Sequence, residues 1–377
     1  MPAEHPAPTG APADSAADSA HMHRAVQLGE RVRGTTAPNP WVGAVLVTVD
    51  DEIYEGATEP PPGRHAEIVA LDAARSAGAD PAGAAMYTTL EPCSHTGRTA
   101  PCIDAIIAAS ISRVVVGVTD PDPHVAGSGI DALRAASIEV DVGVAADAVL
   151  LSLRSYLHQR QTGRPWVVLK LAATLDGRTA APDGTSQWIT SPEARADAHG
   201  LRARCDAVLV GAGTVRADDP SLTVRELPLT DPHRPLLDMR EARDEPADVP
   251  FARAAADRLD PSRFVLGMAP AEAKVQPCIE VSGALRSVVP RLADDGVVEL
   301  LVEGGANVAG ELHRDGLVDE YVVYLAPWLA GGDDGLPMLA GPGASTIAEF
   351  WRGEIADARP VGPDLRITMF PAAPDSP

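Results

Sequence analysis

The sequence predicts two α/β domains in a chain of 377 residues. Three observations predict it. Short β-rich runs bounded by turn residues alternate with helix-periodic segments, the pattern of layered α/β units with a mostly parallel sheet. The length suits two or three domains of about 150 residues. The segment QTGRP at 161–165 sets Gly and Pro between a helix pattern and a new strand, and reads as the linker between domains at 21–160 and 166–372.

The elements follow in order. Residues 1–20 are Pro, Ala, Asp and Ser with almost no large apolar side chains, and read as a disordered tail. In the first domain WVGAVLVT (41–48), AAMYTTL (84–90) and RVVVGVT (113–119) are strand-like. Helix patterns lie at 65–77, 101–110 and 128–137, then a strand at 138–144 and a closing helix at 145–160. The second domain starts with the strand WVVLKLAA (166–173). A helix at 191–205 follows, with Ser191 as cap, Pro192 at its first position and Glu193 in its first turn. Strands at 206–213 and 297–305 run into glycine, and DEYVVYLAPWL (319–329) is another strand. The Pro-, Asp- and Arg-rich stretch 227–262 gives no clear element order.

Apolar residues make up 45% of the chain but aromatics only 4%, so the cores rely on Ala, Val and Leu. The net charge is −22, from 31 basic and 53 acidic residues, and it repels nucleic acid and anionic lipid at long range. A phosphorylated substrate therefore needs a local arginine pocket, and arginine's planar fork suits phosphate. Lys170 and Lys274 are the only lysines. The chain is too long to need disulfide staples, and with no secretory leader and no run long enough to span a bilayer a reducing, cytoplasmic setting is expected; the even count of four cysteines proves nothing.

Three pieces of the first domain carry chemistry: His65-Ala66-Glu67, Glu91-Pro92-Cys93 and Pro101-Cys102. Catalytic zinc takes three protein ligands and keeps one position for water, and one imidazole with two thiolates meets that count. Cys102, at a helix start, has backbone N–H groups that favour a thiolate. Glu67 stands two residues after His65, so the pair works only if His65 sits at the helix entry with the metal off that end. Glu67 is then free as general acid/base. A closed structural site with His95 as fourth ligand is the alternative. The H-x-E and P-C pattern is that of zinc nucleobase deaminases, with the second half stretched to PCSHTGRTAPC (92–102).

TLEPCSHTGRTAPC (89–102), with HAE and TTAPNPWVGAVLV (35–47) before it and TDPDPHVAGSGIDAL (119–133) after it, resembles the deaminase half of the bifunctional riboflavin-pathway deaminase/reductases. LKLAATLDGRTA (169–180), SQWITS (186–191), ADDPSLTVR (217–225) and VEGGANVAGEL (302–312) occur in the order of that family's reductase half. The resemblance implies a cytidine-deaminase-like three-layer α/β/α domain followed by a dihydrofolate-reductase-like α/β domain. It implies Zn2+ and NADPH as cofactors, and water activated on zinc displacing ammonia from a phosphoribosylaminopyrimidine, whose sugar is then reduced. Asn39 would line the deaminase pocket. Ala172, Trp188, Thr214, Asp218 and the turn Gly305, Ala306, Asn307, Val308, Ala309 and Gly310 would contact NADPH. Lys170, Ser186, Arg202, Leu222, Arg225 and Glu303 would contact substrate, Arg202 and Arg225 as phosphate grips. Glu303, Lys170 and Asp218 are all candidates for the acid of the reductive step. The strand–glycine–helix turns of this half are weak signals alone. A homo-oligomer that acts on small molecules, with no nucleic-acid or membrane partner, is expected. A deaminase for another base, or a second half that only binds, are the competing readings.

Overall fold

The first sheet is built around strands that can have no solvent face: five of the six residues in β3 (Ala85–Leu90) and in β4 (Arg113–Val118) are buried. The structure is a computed structural model and describes residues 15–94, 100–123, 125–242, 256 and 258–372. Two compact units result, one of Met1–Gln161 with Asp238–Arg258 and one of Thr162–Leu237 with Leu259–Pro377.

In the first unit the order is α1 (Ala16–Glu30), β1 (Gly43–Val47), β2 (Ile53–Ala57), α2 (Ala66–Ala77), β3, α3 (Cys102–Ala108), β4, α4 (Ser128–Ala135), β5 (Glu139–Val142) and α5 (Ala146–Thr162). The sheet runs β2-β1-β3-β4-β5. Strands β3, β4 and β5 are parallel, but β1 is antiparallel to both its neighbours, so the sheet is mixed rather than mostly parallel. The reason is β2, which returns through a tight turn with Asp51 at φ 61° and was not separable from the loop by its sequence. A Cβ on Gly43 would strike the Ala25 carbonyl of α1, and one on Gly56 would strike Ala66 of α2. Gly43 pairs with Ala57 and Gly56 with Ala44, so the two helices cover opposite faces, and the unit has three layers. The start of β1 and the ends of β2, β3 and β4 share one edge, through the pairs Gly43–Ala57, Ala44–Thr88 and Leu90–Val118.

Two boundaries move. Helix α1 begins inside the stretch 1–20 whose composition suggests a disordered tail. Ser15 caps it by accepting from Asp18 N at 3.0 Å. The Asp18 carboxylate is held by Arg113 at 2.9 and 3.1 Å and by Tyr87 at 2.7 Å, partners that no local pattern reveals. Residues 1–14 lie outside the described residues. Helix α5 continues through Gln161 and Thr162, which shortens the expected 161–165 linker, and Arg164 within it is held by two 2.6 Å bonds to Asp319.

The second unit contains β6 (Trp166–Thr174), β7 (Arg178–Ala180), α6 (Pro192–Arg204), β8 (Ala207–Gly211), α7 (Ala212–Asp218), the start of α8 (Arg234–Ala242, which from Asp238 on belongs to the first unit), β9 (Ser262–Leu266), β10 (Ile279–Val281), α9 (Leu285–Asp294), β11 (Glu299–Val302), α10 (Ala306–Arg314), β12 (Glu320–Ala326), β13 (Leu336–Pro337), β14 (Gly353–Val361) and β15 (Asp364–Pro371). Its main sheet runs β10-β9-β8-β11-β6-β12-β15-β14, parallel from β10 to β12 and antiparallel beyond. Alternating strand residues sort into two cores. Val167, Leu169, Leu209 and Leu300 meet α9 and α10, and Val168, Val208, Val210 and Leu301 meet α6 and α7.

Candidate active sites

In the first unit His65 is the extended residue that precedes α2, Cys93 follows β3 and Cys102 opens α3. Three separate elements therefore bring their side chains to the shared edge of the sheet. His65 Nδ1 lies 3.2 Å from Cys102 Sγ and 3.6 Å from Cys93 Sγ, and the three donor atoms lie within 4.8 Å of one another. Ligand atoms around a tetrahedral zinc ion stand about 3.5–3.8 Å apart, so this donor set fits zinc. Glu67, in the first turn of α2, is 3% exposed, and its Oε2 lies 3.6 Å from Cys102 Sγ.

Burial pushes the Glu67 carboxyl above the usual carboxylate range. The Cys93 thiol is held down to about 4, chiefly because Cys102 donates to it and then because of His65. That same contact, with burial, holds the Cys102 thiol well up. His65 is raised by its bond with Cys93. A dication is the charge such a group of thiols and imidazole accepts, since it draws both sulfurs into thiolate form.

Asn39 is half-buried in the turn after the cis Ala37–Pro38 peptide, four residues before β1 and on the approach to the same edge. His95, the alternative fourth ligand, lies outside the described residues. One residue that the motif contained without a role is Glu91, a buried carboxylate that takes four backbone N–H bonds.

The second unit gathers its candidates at the C-terminal ends of β6, β8 and β11, the edge where open α/β sheets place ligands. Glu303, just past β11, accepts both prongs of Arg202 from α6 at 2.5 and 3.0 Å, and Lys170 Nζ of β6 stands 3.7 Å away. Burial would raise the Glu303 carboxyl, but Arg202 and Lys170 overcome it and hold it at about 2. Lys170 is lowered by burial and by Arg202, with Glu303 opposing. Arg202 also donates to Thr223 O at 3.2 Å, so its fork is engaged within the protein. Arg225 is exposed, with its guanidinium on Ser221 Oγ.

Gly305 N donates to Thr214 Oγ1 at 3.1 Å, which sets the first turn of α7 against the turn that opens α10. A Cβ on Gly305 would lie 3.1 Å from that same oxygen, whereas Gly213 opens onto free space. The backbone at Gly213 is thus open to a diphosphate, which fits a dinucleotide, while Gly305 N–H is engaged by Thr214. Gly305 and Asn307 are exposed and Ala306 half-buried, but Val308, Ala309 and Gly310 are buried in the packing of α10. Ser186 donates to Asp218 at 2.8 Å. Trp188 is 61% exposed under the Arg195 guanidinium, and Ala172 is half-buried on β6. Leu222 is buried with φ 54°, so only its backbone can reach a ligand.

A buried carboxylate beside an imidazole and two thiols places the first unit among the zinc-dependent deaminases, and the second is an α/β reductase domain. Residues 15–118 match the family model described as the cytidine and deoxycytidylate deaminase zinc-binding region, and 165–366 match the RibD C-terminal domain. The chain is 39% identical to the riboflavin biosynthesis protein RibD of Escherichia coli K12 over 94% of this chain and 100% of that one. It is 40% identical to RibD of Mycobacterium tuberculosis H37Rv over 92% and 96%. Among solved structures it is similar to RibD of Acinetobacter baumannii, with a TM-score of 0.80 and 32% identity over 94% of this chain and 99% of that one. The chain belongs to the RibD family. It carries a deaminase step and then a reductase step of riboflavin biosynthesis, with Zn2+ and NADPH as cofactors.

Proposed function

We propose that the first unit deaminates the diaminohydroxyphosphoribosylaminopyrimidine and that the second reduces the ribosyl group of the resulting 5-amino-6-(5-phosphoribosylamino)uracil to ribityl. A Thermotoga maritima protein described by those two activities is 30% identical with a TM-score of 0.78. The observation that carries the reading is the buried Glu67 carboxylate beside His65, Cys93 and Cys102.

In this reading those three residues hold zinc, which supplies the Lewis acidity that lets water attack near neutral pH. Glu67 takes one proton from the attacking water and delivers it to the ring nitrogen, then takes the second from the hydroxyl formed on the ring carbon and passes it to departing ammonia as the carbon–nitrogen bond breaks. Its raised pKa suits a group that must hold and release protons within one cycle. Asn39 lines the base pocket.

In the second unit, NADPH held at the turns by Thr214, Asp218 and Gly305–Asn307, with Ala172 and Trp188 beside it, supplies the reducing equivalent. Of the three candidate acids, Glu303 is held ionised and Asp218 is engaged by Ser186. Lys170 is a cation whose proton burial makes easier to release, so it is the acid that protonates the sugar. Arg202 holds Glu303 in place, and Arg225, Ser186 and the Leu222 backbone meet the substrate. Arg225, being exposed, is the phosphate grip.

The same reading makes the protein a cytoplasmic homo-oligomer that acts on small molecules, without nucleic-acid or membrane partners. Among the described residues no helix is long and apolar enough to cross a membrane. Glu67→Gln is expected to cut ammonia release at least about 100-fold while NADPH oxidation on supplied deaminated substrate continues. Chelation is expected to do the same. Loss of both activities in folded Glu67→Gln protein contradicts the two-site assignment.

A further inference from the structure

Glu91 ends the run out of β3, one residue before Pro92 and two before Cys93. It is 4% exposed. Its Oε2 accepts from Asp120 N at 3.2 Å and Gly127 N at 2.9 Å, and its Oε1 accepts from Gly129 N at 2.9 Å and Ile130 N at 3.3 Å. One carboxylate thus gathers the segment that leaves β4 and enters α4. All four donors are backbone, so the clamp fixes chain path rather than a neighbouring side chain.

A second observation ties that segment to Cys93. A Cβ on Gly129 would lie 2.1 Å from the Pro92 carbonyl oxygen, closer than any Cβ can stand. The first turn of α4 therefore rests directly on the peptide that carries Cys93. Ser94 Oγ meets Ser128 Oγ at 2.6 Å on the far side of that cysteine. Cys93 in turn is fixed to α3, with its carbonyl accepting from Ile103 N at 3.4 Å and its sulfur accepting from Cys102 N at 3.3 Å. The clamp, the Pro92 peptide and both sulfurs form one continuous set of contacts.

We infer that Glu91 is the positioning residue of the metal centre: by binding segment 120–130 to the Pro92 peptide it fixes the backbone of Cys93 and thereby sets zinc affinity. This rests on the reading of His65, Cys93 and Cys102 as zinc ligands. Glutamine at position 91 would keep the shape but turn an amide NH2 towards two of the four N–H donors, leaving buried donors unpaired.

The test measures the zinc dissociation constant of the full chain by chelator competition, with amide hydrogen exchange on zinc-saturated protein. Glu91→Gln is expected to weaken zinc roughly 10–100-fold, the effect typical of groups that orient metal ligands. Exchange is expected to speed up at Asp120, Gly127, Gly129 and Ile130 while β3 stays protected. Gly129→Ala keeps the Glu91 side chain but pushes α4 off Pro92 and crowds Glu91 Oε1, 3.2 Å from the added Cβ, so it loosens the same clamp from the α4 side and is expected to weaken zinc as well. Unchanged zinc affinity in either variant overturns the inference, as does fast exchange spreading through β3, which would make the effect one of folding. Failure of the unaltered chain to bind one zinc ion would instead sink the ligand assignment, and the inference with it.

Discussion

At Lys170 two opposing neighbours set a proton's availability. Burial and Arg202 lower its pKa from the ordinary 10.5, and Glu303 resists. As the acid of the reductive step it must be protonated, so reductase kcat/KM is expected to fall as pH rises through a value below 10.5. Lys170→Gln is expected to lower kcat about 100-fold or more and to abolish that alkaline limb. A limb that persists in the variant assigns it to another group. The deaminase residues were legible in the sequence because their chemistry is local: His65 and Glu67 share one helix entry, and each cysteine follows a proline. The Arg202–Glu303 pair was not legible, because its members stand 101 residues apart and meet only through the sheet. Nor could the sequence show that Val308, Ala309 and Gly310 turn into the core while Gly305 and Asn307 stay exposed.

Elements were legible where burial on both faces writes a continuous apolar run, as in β3, β4, β6 and β8. Those stabilised by distant partners were not. Helix α1 is the clearest case: the composition of its start matches a tail, and Asp18 is what fastens it. Arg113, opposed by burial and helped by Tyr87, holds the Asp18 carboxyl far below its usual range. A depressed carboxylate contributes stability above its unfolded pKa of about 3.9, and loses it as pH falls through the lower folded value. Asp18→Ala is therefore expected to cost the deaminase unit about 2 kcal/mol at pH 7. Denaturant midpoints would show this, and the gap between variant and parent should narrow below about pH 4. An equal gap at pH 7 and at strongly acid pH would mean that Arg113 and Tyr87 do not stabilise the helix through this charge. Strands β9 and β10 are not legible in the sequence for a related reason. They are short and sit at the sheet margin after a stretch rich in Pro, Asp and Arg, where no run of alternating residues exists.

At the scale of the whole molecule, a chain of net charge −22 resists its own association except where charge is sparse. One such stretch is 341–351, GPGASTIAEFW, in which Glu349 is the only charged residue and every residue is exposed. Ile347 is 81% exposed and Phe350 59%, and Ile355 on the adjoining β14 is 63% exposed. Strand β14 closes the order of its sheet, with most of its residues exposed and its far edge paired with no described strand. A charge-poor stretch with exposed apolar side chains beside an unpaired edge is a surface that a second copy can cover. The two-fold pairing usual in homo-oligomers would set this patch against itself. Unaltered protein is accordingly expected to sediment at twice the chain mass or more. Phe350→Asp combined with Ile355→Asp adds like charge where the copies would meet, and is expected to yield monomers that regain association as salt screens the added charge. An unaltered chain that stays monomeric at micromolar concentration, or a double variant that sediments like its parent, would place the association elsewhere or deny it.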